Sequence, residues 1–236
     1  MNWLSQHHQS ITALTSIATL MIWLVYAQLL YKGYRRQRRP RLIINRGKSK
    51  DINALCIISN MSAEPVFIEY IVAELQTSHG TIVMDVTDLE RGYDDQGKPE
   101  GVEQEGQRPI ADVVRDNTRQ GPLESGGYLH IGTFRDIVER VAKAADIELQ
   151  GYRPTNGIEF QWLTIQLIGI YGPEDLPMGA ERSFKLHAAD DQCDLTPDSW
   201  DTKHQNSRLQ RYRLRRKLKT LNESPFRASS GLQQAG

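Results

Sequence analysis

The sequence predicts a mainly β protein: an N-terminal transmembrane helix, then a β-sandwich carrying one amphipathic helix, then a basic helical segment at the C-terminus. Three observations lead there. Residues 11–31 are apolar and uncharged, and Lys32, Arg35, Arg36, Arg38, Arg39 and Arg41 follow at once. From residue 42 onward, short β-branched or apolar runs alternate with turn residues. Charge, zero in total, is sorted into a basic beginning, an acidic middle and a basic end.

As a helix the first run, 21 residues long, rises about 32 Å, which matches a hydrocarbon core of roughly 30 Å. Residues 32–50 hold nine Lys and Arg and no acid, whereas residues 2–10 hold only His7 and His8. Basic flanks stay on the cytoplasmic side, so residues 1–10 are expected outside and the rest of the chain inside. A cleaved signal peptide would carry its charges before the apolar run, not after it. Thr12, Thr15, Ser16 and Thr19 share one helix face with Ala13 and Ala18 alongside. Such a face suits helix association, or its hydroxyls bond back to their own backbone, the reading preferred here. Trp3, Tyr31 and Tyr34 stand where interfacial anchors belong.

The segment 32–50 is expected to be a basic juxtamembrane stretch ending in the first strand, with a sandwich over 51–190 and a basic helical or disordered tail over 191–236. Residues 51–200 carry a net charge of −16 and residues 201–236 a net +7. About 150 residues suffice for one ordinary domain with its own core. Cys56 and Cys193 fit no zinc or redox spacing and read as reduced thiols, Cys56 in the core.

Strands are expected at 42–45, 54–59, 66–75, 81–86, 158–171 and 181–187, with order returning at 128–131 after a long loop over 88–121. Pro65 cannot donate to a central ladder and marks a strand start. Thr133 and Asp136 have capping-box spacing, and Phe134, Ile137, Val138, Val141, Ala144 and Ala145 fall on one face, which predicts a helix over 134–146. Strands with turns between them and one connecting helix make a sandwich.

A single span, an Arg-rich stop and a phrase such as Ile58-Ser59-Asn60-Met61-Ser62-Ala63-Glu64-Pro65-Val66 resemble uncharacterised bacterial single-pass inner-membrane proteins with a cytoplasmic immunoglobulin-like sandwich. The resemblance is one of architecture, over residues 10–190. It implies an Ig-like β-sandwich and a bacterial inner-membrane location, and it assigns no catalytic residue.

Candidate chemistry is thin. Asp85, Asp88, Glu90, Asp94 and Asp95 cluster without calcium-loop spacing, and a solvated charge run is the simpler reading. Gly47-Lys48-Ser49 lacks the earlier glycine of a phosphate loop, where Leu42 stands. His79, His130, His187 and His204 are isolated along the chain. No catalytic residue, metal or cofactor is therefore assigned. The remaining signal is Arg208, Arg211, Arg213, Arg215, Arg216, Lys217 and Lys219, with Leu214, Leu218 and Leu221 on one helical face and Leu209 and Tyr212 on another. Its uses are contact with anionic lipid head groups or with an acidic protein surface, the body's own included. Nucleic acid is disfavoured, since Tyr212 is the segment's one aromatic. The expected function is a membrane-anchored, non-catalytic interaction or scaffold protein with a protein partner or self-association. The alternatives are an enzyme or small-ligand or metal-binding domain built on loops 88–121 and 171–179, and nucleic-acid binding through the basic tail.

Overall fold

The computed structural model describes residues 7–37, 39–88, 118–155, 157–172, 174, 176–189 and 192–223. The chain divides into two compact units, Met1–Arg39 and Pro40–Gly236. The first contains helix α1 (His8–Gln37). Its stretch Gln9–Tyr34 is long and apolar enough to cross a membrane, and its apolar side chains are exposed on all sides. The hydroxyls of Thr15, Ser16 and Thr19 donate to the carbonyls of Ile11, Thr12 and Thr15 at 2.8–3.0 Å, so the polar face of the helix is satisfied by its own backbone.

The second unit is built on two antiparallel sheets. One contains β1 (Leu42–Arg46), β2 (Leu55–Asn60) and β6 (Tyr128–Thr133) in the order β1-β2-β6. The other is formed by β3 (Val66–Thr77), β4 (Gly80–Asp85), β9 (Phe160–Tyr171), β10 (Met178–Ala189) and β11 (Gln192–Pro197), in the order β11-β10-β9-β3-β4. The short β5 (Gly121–Leu123) adds to β3 and β12 (Lys203–Gln205) to β10, while β7 (Leu149–Gln150) and β8 (Arg153–Pro154) pair as a separate ribbon. The inner faces meet in one core, where Phe134 and Phe184 lie 4.7 Å apart edge to face.

Both flanks of the sandwich are closed. On one, the N–H of Ile52 donates to Cys193 and that of Leu195 to Lys50, each at 2.8 Å, so the β1–β2 loop extends the ladder of β11. On the other, α2 (Phe134–Ala144) packs against β3, β4 and β6. Thr133 and Asp136 form the expected capping box, and Phe134, Ile137, Val138, Val141 and Ala142 are buried. Ala144, expected on that face, is exposed, and the helix ends there rather than at 146 because Asp146 turns to a φ of 55°.

Strand β3 changes phase. Val66 and Ile68 face the core, then Ile71, Ala73 and Leu75 do, because a bulge between Ile68 and Tyr70 inserts Glu69. The sandwich also continues beyond residue 190: β11 and β12 pair with β10, so the sheets end at Gln205 rather than giving way to a tail at 191. Most of the loop expected over 88–121 lies outside the described residues, with Asp88 and Thr118 bridging at its base.

Candidate functional site

The third helix among the described residues, α3 (Arg208–Glu223), begins on a reciprocal cap in which the Gln210 N–H donates to Ser207 Oγ and the Ser207 N–H to Gln210 Oε1. It seats on the outer face of the larger, seven-stranded sheet. Alternation and register set two rows across that face, Tyr70–Ile168–Gly179 and Val72–Gln166–Glu181. Ile168 and Val72 are buried there, outside the main core. Leu214, 3% exposed, fills the space above Gly179, where a β-carbon would stand 2.7 Å from Leu214 Cδ1 and 2.8 Å from Gln205 Oε1. A side chain at 179 would have to displace these two side-chain ends, so the glycine gives Leu214 its seat.

Two cations hold the seat. The Arg211 guanidinium pairs with Glu174 and donates to the carbonyls of Leu176 and, at 3.0 Å, Pro177. Lys217 donates to Gln166 Oε1. Burial lowers the Lys217 pKa, and the charges of Glu74 and Glu181 work against that shift. Arg208, Arg213, Arg215, Arg216 and Lys219 are exposed, as are Leu209 and Tyr212. The segment is thus divided, with Arg211, Leu214 and Lys217 turned inward and a basic strip turned outward.

The cations that follow the apolar run are distributed otherwise. Lys32, Arg39 and Arg41 are exposed, and the Arg41 N–H donates to Ser62 Oγ at 2.7 Å. Arg35 and Arg36 lie on the last turns of α1, and Arg38 lies outside the described residues. Of the acidic cluster, Asp85 accepts the N–H of Thr87 at 2.9 Å and its hydroxyl, while Glu90, Asp94 and Asp95 lie outside the described residues. No group of three or more His, Cys, Asp or Glu that could hold a metal occurs among the described residues.

One buried polar group escaped the sequence reading. Arg182, 7% exposed, stands on the apolar face of β10, between Ala180 and Phe184. Its NH1 donates to Ile44 O at 2.7 Å and Asn45 Oδ1 at 3.2 Å, and its NH2 to the carbonyls of Ser199 at 3.0 Å and Trp200 at 3.2 Å. Beside it Thr202 Oγ1 accepts the Ile44 N–H at 3.0 Å, and His204 Nε2 meets Leu42 O at 2.9 Å. Side chains therefore seal the free edge of β1, which would otherwise be open to another strand. Burial lowers the Arg182 pKa, the nearby Asp201 opposes this, and Arg46 reinforces it. A lone arginine in an alternation of inward apolar residues was the available signal.

A cleft of about 430 Å³ opens beside the β7–β8 ribbon, its lining including Ile52, Tyr152, Arg153, Glu159, Phe160 and Cys193. Burial raises the Cys193 thiol pKa, so this sulfur is held protonated and is a poor nucleophile. Cys56, fully buried, is likewise raised. Comparison of the chain with protein-family models, with curated proteins and with solved structures finds no match.

Proposed function

We propose that this is a membrane-anchored, non-catalytic interaction or scaffold protein of a bacterial inner membrane, N-terminus outside, presenting an immunoglobulin-like sandwich to the cytoplasm. The observation that carries the reading is the two-sided α3: one face is spent on the sheet, while the other offers Arg208, Leu209, Tyr212, Arg213, Arg215 and Lys219 outward on a body preceded by an apolar span. The strand orders β1-β2-β6 and β4-β3-β9-β10 support the immunoglobulin-like part, because they follow the A-B-E and C′-C-F-G orders of such domains. The buried polar side chains Asn60, Thr87, Arg182 and Thr202 all bond backbone groups, a bracing use that favours binding over chemistry. The test is co-purification of the full chain from gently solubilised membranes, with sizing and mass spectrometry after a salt wash. A stoichiometric partner or a defined homo-oligomer supports the reading; a lone monomer opposes it.

A second reading, a small-ligand domain, draws on the 430 Å³ cleft, whose size and mixed polar and apolar lining suit a small molecule. Thermal stabilisation of the full chain by a metabolite, abolished by filling the cleft with Ala188→Trp, would favour it.

A further inference from the structure

Arg208, Leu209, Tyr212, Arg215 and Lys219 lie away from Arg211, Leu214 and Lys217, the contacts that seat α3 on the sheet. At the helical period, Arg208, Leu209, Tyr212, Arg215 and Lys219 fall within an arc of about 120° opposite Leu214. Leu209 is 76% and Tyr212 60% exposed, and residues 208–219 contain seven Lys and Arg and no acid. An apolar pair flanked by long cationic stems is the composition of a helix that lies at a lipid surface, the stems reaching head groups while the pair enters the acyl boundary. The rest of the body repels such a surface, since residues 51–200 carry a net −16.

We propose that this strip docks on the anionic head groups of the bilayer that α1 enters, so the sandwich is held at two points, by its span and by α3. The inference rests on the membrane-anchor reading. It is argued from charge complementarity and from the tether, which keeps the strip at high effective concentration near one lipid surface. The inward set behaves differently: Arg211, Leu214 and Lys217 stay on the sheet, so α3 binds lipid without leaving the body.

The experiment places a polarity-sensitive fluorophore at Leu209→Cys in the full chain, Cys56 and Cys193 being buried. The chain is reconstituted into discs of phosphatidylcholine alone or with ~30% phosphatidylglycerol, the anionic fraction supplying the attraction. The expected result is blue-shifted emission, quenched by nitroxide lipid, in anionic discs only. Quenching should fall at least about threefold from ~0.1 to ~0.5 M salt as the Debye length shrinks. The triple variant Arg208→Glu, Arg215→Glu, Lys219→Glu should lose the response while keeping the parent's unfolding midpoint, because each side chain is exposed. Equal emission in both discs overturns the proposal, as does a strip that binds added duplex DNA or polyglutamate and ignores lipid. A C-terminal tag read in intact cells separates the two failures. A tag reachable from outside defeats the anchor reading, whereas a cytoplasmic tag without a lipid response defeats only this inference.

Discussion

Replacing Arg182 by methionine tests whether a buried cation holds the two sheets together. Bonds from a charged donor contribute about 1.5–3 kcal/mol each, so the two shortest are worth about 3–6 kcal/mol together. These run to Ile44 O at 2.7 Å and Ser199 O at 3.0 Å. Against them stands the cost of burying the guanidinium, whose Nε has no partner and whose pKa is lowered by desolvation. Methionine recovers that cost and fills much of the same space. The balance is a loss of about 2–4 kcal/mol, because the Ile44 carbonyl stays buried without its donor. In a body of this size each kcal/mol lowers Tm by about 2–4 °C, so a drop of about 5–15 °C is expected. The assay is urea and thermal unfolding of the full chain in mild detergent, followed by near-UV circular dichroism. The exposed Lys185→Met on the same strand is the control and should stay within about 0.5 kcal/mol. Arg182→Lys should not rescue, since an ammonium cannot span acceptors on β1 and on the 199–200 turn. A methionine variant as stable as the parent, or more so, would refute the reasoning: the pin would then be a net burden, as some buried charges are.

Other outcomes follow from the same geometry. Leu214→Ala should weaken the seating of α3 by about 2–3 kcal/mol, read as faster tryptic cleavage within 208–219 while the sandwich stays intact; an unchanged rate would show that Leu214 does not hold the helix. Gly179→Val should unseat α3 more completely, since even its β-carbon would stand 2.7 Å from Leu214 Cδ1, with strand content retained in far-UV dichroism. Asn60→Ala and Asn60→Asp should each cost about 2–4 kcal/mol in urea unfolding, because Asn60 Nδ2 donates to Glu64 O at 3.0 Å and Leu123 O at 2.9 Å and a carboxylate cannot. For pH, burial raises the thiols of Cys56 and Cys193 above their unfolded values, so the unfolded chain loses these protons first. Stability is full below the ordinary thiol pKa and declines above about pH 8.5, by up to about 1.4 kcal/mol per pH unit for each thiol. Unfolding free energies from pH 7 to 10 should show a shallower decline in the Cys56→Ala, Cys193→Ala variant, and equal slopes would remove the thiols from the account.

What was legible in the sequence was local. The uncharged run with its basic stop needs only length and composition, and the Thr133–Asp136 cap needs four consecutive residues. Asn60 to Pro65 reads as a turn because an Asx side chain, a serine and a proline stand together, and Asn60 Oδ1 does accept the Ser62 N–H at 2.9 Å. What escaped depends on partners far along the chain. The phase change in β3 is invisible until β9 supplies the register, and β11 and β12 read as part of a basic tail until β10 is beside them. The division of α3 was half readable: Leu214 and Leu218 marked a face, but only Gly179, 35 residues earlier, gives that face its seat. Arg182 escapes because, next to Glu181, it reads as one more surface charge unless the alternation Ala180–Arg182–Phe184 is counted through it.

The sealed edge of β1 has a consequence for biosynthesis. Leu42–Arg46 is the first strand to leave the ribosome, yet Arg182, Thr202 and His204, which cover its edge, are made some 140 to 160 residues later. The central pairing of β3 with β9 is similarly delayed, since Val66 waits for Tyr171. At about 5–20 residues per second, the nascent sheet stays unsealed for roughly 10–30 s. Through that interval an unpaired strand edge stands open to neighbouring nascent chains, so chaperone demand should be greatest during translation. A premature stop after residue 198 would remove Thr202 and His204 from that edge for good, and its product should aggregate or be degraded rather than accumulate as a shortened domain.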